Sequence, residues 1–111
     1  MNDQADFSRQ WLTWRRTHRP TERFRAGSRG TPVDDIECAI DHLASSVESL
    51  GSGYTEGKAW DYRDLAARRL EEVARIEASL DACDLPEEER AVYRRYLATT
   101  RGVLETIGRG R

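Results

Sequence analysis

Across residues 31–51, TPVDDIECAIDHLASSVESLG, the apolar positions Val33, Ile36, Ile40, Leu43, Val47 and Leu50 recur at alternating steps of three and four. That spacing lays them along one narrow seam of a helix. Thr31 is the expected N-cap and Pro32 suits the first helical position. Asp34 and Asp35 complement the positive end of the helix dipole. Gly51 is expected to stop the helix, with SGYTEG as a loose connection after it.

A second helix is predicted from Lys58 to about Cys83. Tyr62, Leu65, Ala66, Val73, Ile76 and Leu80 share one face, with Leu70 on its shoulder. Arg69 falls near the middle of that face, where a guanidinium must snorkel or find a facing carboxylate. Ala67, Ala74 and Ala78 form a strip of small residues on another side, together with Trp60. A helix touched from two directions is expected to be central or dimer-forming. In DLPEEER, Pro86 and the following glutamates mark the first turn of a third helix, and Asp84 is the expected cap. Val92, Tyr93, Tyr96, Thr100, Val103, Leu104 and Ile107 give it one broad face. Gly102 lies off that face, Gly108 closes the helix, and GRGR reads as a frayed tail. The short connection makes these last two helices an antiparallel hairpin. No stretch alternates for long enough to predict a strand.

The opening segment, FSRQWLTWRRTHRPTERFRAGSRG, is unlike the rest. Phe7, Trp11 and Trp14 stand at i, i+4 and i+7, with His18 on the same line and Leu12 beside it. That is an amphipathic helix of about three turns, begun by Asp6 or Ser8 and ended by Pro20. TERFRAGSRG then reads as a polar linker anchored by Phe24. The expected fold class is therefore all-α, a small bundle of about four helices. Residues 1–30 form a basic, aromatic helix and linker, and residues 31–111 the helical body.

Charge sharpens the contrast. Residues 1–30 hold seven arginines against Asp3, Asp6 and Glu22, on a chain whose net charge is −2. Two readings of the segment follow. Phe7, Trp11 and Trp14 cover an open groove of the body, each burying roughly 150–250 Å². Or Trp11, Trp14, Arg15, Arg16, Arg19, Arg23, Phe24 and Arg25 form a partner-binding surface, since Trp and Arg dominate interface hot spots. Nucleic-acid binding through residues 9–29 is the alternative, by phosphate contact and base stacking. A sequence pI of about 5.7 argues against it. Of the 18 basic residues only Lys58 is not arginine, a bias that reads as codon composition.

Only 38% of residues are hydrophobic and 34% are charged, which suits helices that each bury one stripe. Cys38 and Cys83 show no CxxC or zinc-finger spacing, and both are expected to act as small buried hydrophobes. His18 and His42 belong to no HExxH, ExxH or HxxxH pattern, so no metal is expected. Ser45, Ser46 and Ser49 have no sequence-local base, and GSGYTEGK is not a phosphate loop because Lys58 lacks the following Ser or Thr. A small all-helical enzyme of the chorismate-mutase type would bind a dicarboxylate through arginines inside a helical dimer. Arg69 is the one feature of that kind, and the family's pattern of Arg, Lys and Glu is not matched across the chain. The acidic start without an apolar run is not a signal peptide, and no segment approaches a membrane span. The expected protein is cytoplasmic and non-catalytic, with no cofactor: an adaptor, inhibitor or regulator that binds another protein and forms a homodimer. Small acidic helical proteins of phages and of toxin–antitoxin or defence systems fit such a description.

Overall fold

The computed structural model describes residues 3–17 and 32–109. Among them lie four α-helices: α1 (Asp3–Thr17), α2 (Pro32–Glu56), α3 (Tyr62–Ala82) and α4 (Glu87–Gly108). The bundle measures 41 × 22 × 22 Å. Tyr93 donates to Glu37 at 3.0 Å near the start of both α2 and α4, so these two run parallel. Helix α3 runs against them, tied to α4 by Arg94–Asp81 at 2.7 Å and by Arg101–Glu77. Helix α1 also runs against α4, with Gln10 beside Thr106 and Trp14 beside Thr100. The hairpin of α3 and α4 follows the sequence expectation.

One core joins all four helices. Ile40, Leu43 and Val47 of α2, Val73 and Leu80 of α3, and Leu97, Leu104 and Ile107 of α4 are completely buried. Trp14 joins them from α1. Its indole Nε1 donates to Thr100 Oγ1 at 2.8 Å, and the Thr100 hydroxyl donates to the carbonyl of Tyr96 at 2.8 Å. Buried donors of this kind need partners, and here a threonine of α4 supplies the one that Trp14 requires.

The largest departure from expectation lies at Gly51. Helix α2 does not stop there but runs on to Glu56, and GSGYTE is helical. The glycines serve close approach rather than termination. A Cβ at Gly51 would sit 2.0 Å from the Trp11 ring, and one at Gly53 would sit 2.2 Å from the Trp60 ring. The actual stop is Gly57, whose φ of 77° a glycine adopts freely. There Lys58 N–H bonds Gly53 O at 2.9 Å and Gly57 N–H bonds Tyr54 O at 3.2 Å, a Schellman closure.

Four smaller corrections follow. Helix α3 begins at Tyr62 rather than Lys58, capped by Asp61, whose side chain accepts from the Asp64 amide at 3.2 Å. Pro86, not Asp84, occupies the N-cap of α4, and no side chain caps that end. Val92 is exposed, because Tyr93, Tyr96 and Leu97 set the inward direction of α4. Cys83 is buried but Cys38 is exposed, turned away from the Ile36–Ile40–Leu43 seam. Thr31, Pro20 and the linker TERFRAGSRG lie outside the described residues.

These contacts set the sign of two glycine substitutions. Overpacking costs about 1–3 kcal/mol, while Ala gains ~1 kcal/mol over Gly in a helix. Gly51→Ala drives a methyl into an indole held by its neighbours, so urea denaturation is expected to show a less stable protein. At Gly102 the nearest atoms to an added Cβ belong to Gln10, at 3.9 Å. Gly102→Ala is expected to raise the unfolding free energy by up to ~1 kcal/mol. The Tyr96 hydroxyl sets a third outcome. It is buried and makes no well-formed hydrogen bond among the described residues, although the Thr100 hydroxyl and the Trp14 indole stand near enough to hold its pKa shift back in part. Burial, with a smaller contribution from the Asp41 and Glu48 carboxylates, pushes its pKa well above the ordinary range. The fold therefore favours protonated tyrosine, whose contribution is intact below about pH 10 and is lost as pH rises toward the raised value. Tyr96→Phe should leave stability at pH 7 unchanged or higher, and should flatten its decline above about pH 10.

Candidate partner-binding surface

Helix α1 divides its residues sharply by side. Phe7, Trp11 and Trp14 face inward as a stack, with Trp11 and Trp14 rings 5.2 Å apart and inclined by only 6°. Phe7 continues the stack onto Tyr54 of α2 at 4.5 Å. Trp11 and Trp14 are thus committed to the core, as the first reading of this segment has it. Arg15 and Arg16 lie at the surface, outside the buried stack of tryptophans. Arg15 stands 6.0 Å from the Trp11 ring centroid and 3.5 Å from Glu48 of α2, so it clamps the edge of the stack. Arg16 donates to the Leu12 carbonyl at 3.4 Å. Arg19, Arg23, Phe24 and Arg25 lie outside the described residues, as does most of the 9–29 segment read for nucleic acid.

The open surface lies on the other side, between α2 and α3. Asp35, Ala39, His42, Ser46, Ser49 and Gly53 recur along α2 at steps of four and three, forming a second stripe beside the buried one. Leu65, Arg69, Glu72, Ile76 and Ser79 do the same on α3. Because the helices are antiparallel, these stripes meet in register, and the 3.1 Å bond from Arg69 Nη1 to Ser46 Oγ fixes the pairing. Two grooves open along this seam. One, of about 570 Å³, lies at the start of α2, lined by Asp35, Ala39, His42, Glu72, Arg75, Ile76 and Cys83 among others. The second, of about 600 Å³, is lined by Ser45, Ser46, Ser49, Leu50, Trp60, Leu65 and Arg69.

Arg69 and Glu72 form the saddle between the grooves. Their ion pair spans 3.3 Å within α3, which satisfies the mid-face arginine without a carboxylate from a facing helix. Arg69 Nη1 carries both its bonds, to Ser46 and to Glu72. The Nε and Nη2 edge has no partner among the described residues. Trp60 walls the far end. The Schellman turn and the bond from Tyr62 OH to the Lys58 carbonyl hold its loop in place. The ring lies over Gly53 and remains 40% exposed, with Lys58 Nζ 5.4 Å from its centroid. Trp60 therefore belongs to this loop and not to the Ala67, Ala74 and Ala78 strip, which is exposed on the outer side of α3.

Sequence reading singled out Arg69 but passed over Trp60 and the serines as site residues. The signal that finds them is the continued three–four stepping of Val47, Leu50 and Tyr54 through the glycines. Followed, it makes Gly53 helical and brings Trp60 onto it. Among the described residues no group of three or more His, Cys, Asp and Glu could hold a metal ion. No described helix is long and apolar enough to cross a membrane. The chain matches no protein-family model, no curated protein and no solved structure.

Proposed function

We propose that this protein is a non-catalytic adaptor, inhibitor or regulator that binds another protein, and that the α2–α3 face is the surface it uses. The observation that carries the reading is the placement of both grooves on one seam, with apolar floors, polar rims and a half-exposed tryptophan. Interfaces combine these elements: an aromatic anchor, an arginine and a surrounding polar rim. The outer side of α1 offers less, with Leu12 exposed among Arg9, Thr13 and Arg16. Photo-crosslinking in cells that naturally make the protein tests this directly. A benzophenone side chain at Ser49 or Ser79 is expected to yield a protein adduct, and one at Arg9 or Thr13 is not. Adducts from α1 alone, or to nucleic acid alone, would reject the proposal.

A second copy of this chain is the other reading that a specific observation favours. Asp64, Arg68, Glu71 and Arg75 alternate in sign along the outer ridge of α3, beside the small Ala67, Ala74 and Ala78. An antiparallel two-fold pairing centred between Arg68 and Glu71 sets Asp64 opposite Arg75 of the other copy and Arg68 opposite Glu71. Each surface pair contributes little alone, about 0–1 kcal/mol, and weakens with salt. Sedimentation equilibrium at low salt is expected to show self-association above the 12.7 kDa monomer, reduced by Glu71→Arg. A monomer at tens of micromolar, in low salt as in high, contradicts it.

A further inference from the structure

The covered side of the bundle shows how a groove between two helices is filled in this protein. Helix α1 lies along α4 and α2, sets three aromatics inward at steps of four and three, and meets a glycine where its ring presses closest. The α2–α3 seam is a second groove between two helices, with no covering helix among the described residues. It is a straight groove between antiparallel helices, with two depressions in its floor. On α2 the depressions are lined around residues 35–42 and 45–50, so their centres lie roughly 13 Å apart at 1.5 Å per residue. Residues seven or eight apart on a helical ligand are separated by about 11–12 Å, close to that spacing. An extended strand would instead cover the distance in about four residues, with alternate side chains turned away from the groove.

Charge selects further. The second groove presents Arg69, its side chain only 27% exposed; among the described residues its Nε and Nη2 edge has no partner and no acid lines that groove. Three serine hydroxyls from Ser45, Ser46 and Ser49 face the same space. A half-buried guanidinium edge is the donor geometry that a carboxylate accepts in two parallel bonds. Beside it, Trp60, Leu65 and Leu50 make an apolar recess for a large side chain.

We propose that the α2–α3 seam is a docking groove for an amphipathic helix of a partner protein, which seats two large apolar side chains about two turns apart and sets a carboxylate against Arg69. This rests on the α2–α3 face being the interaction surface, and it adds the shape and chemistry of what docks there.

The probe is a displayed library of amphipathic helical peptides about sixteen residues long, ~24 Å as a helix, selected on the intact protein. Selected peptides are expected to converge on large apolar residues seven or eight apart, with Asp or Glu next to the one that enters the Trp60 groove. A double-mutant cycle then reads the central contact. Arg69→Gln should weaken the acidic peptide roughly tenfold and leave its Gln counterpart nearly unchanged. Ser49→Arg, at an exposed position in the groove, should block both peptides while the thermal melt stays that of the parent. Convergence on peptides that bind the seam but lack the acid, or bind in extended form, overturns this inference and leaves the docking face standing. Peptides insensitive to Ser49→Arg, or a selection that yields no binder, overturn it as well. Failure of the docking face itself is read separately, from the cross-linking positions.

Discussion

Trp11 can lie against the backbone of α2 only because position 51 has no Cβ, and much of the architecture depends on that approach. Phe7, Trp11 and Trp14 form a stack on the inner side of α1. The bundle accommodates it by letting the rings, rather than interlocking aliphatic ridges, bridge α1 to α2. Glycine lets the middle ring reach the backbone of α2, and Tyr54 packs against Phe7 at the end of the stack. On the α4 side the bond from Trp14 to Thr100 and the bond from Thr106 to Gln10 fix the rotation and register of α1. Apolar burial supplies the attraction, which has no direction; the polar contacts and the glycine supply the direction.

This arrangement leaves the molecule two-sided. On the α1 side the seams of α2 and α4 are filled with aromatic rings. On the other, α2 and α3 meet along a stripe of Ala, Ser, His and Gly against Leu, Arg, Glu and Ile. Such residues are small or polar enough that the groove between them stays open. Gly53 and Trp60 mirror Gly51 and Trp11 two residues further along α2: a glycine on α2 under an indole supplied by another segment. The first indole is core. The second is half exposed at the mouth of a groove. The exposed indole is thus in the loop before α3, whereas Trp11 and Trp14 of the opening segment are buried.

Much of the fold was legible in the sequence because helical periodicity and the core obey the same geometry. The seam from Ile36 to Leu50, the face from Tyr62 to Leu80 and the broad face of α4 are buried as their spacing implies. Reading failed where one residue type has two physical uses. Gly51 resembles a stop signal, and only the position of a ring forty residues earlier in the chain reveals it as a contact point. Pro86 suits the first turn of a helix and took the cap position that Asp84 was expected to fill. Cys38 sits between two seam residues and still faces outward, because a single step along a helix turns the side chain by about 100°. The groove was hidden for a different reason. Its two walls lie far apart in the chain, and each wall by itself is an ordinary polar stripe. Arg69 could be noticed from its own helix, whereas Ser46, which receives it, could be placed only by the antiparallel register.

The central claim is that α1 is an integral member of the core, not an arm. Native-state hydrogen exchange at the α1 amides from Trp11 to Thr17 tests it most directly. The amides around Trp14 are expected to open only with global unfolding, at the same free energy as the slowest amides of α4 around Thr100. Exchange of α1 through nearly free local opening, while α2, α3 and α4 remain protected, would contradict it.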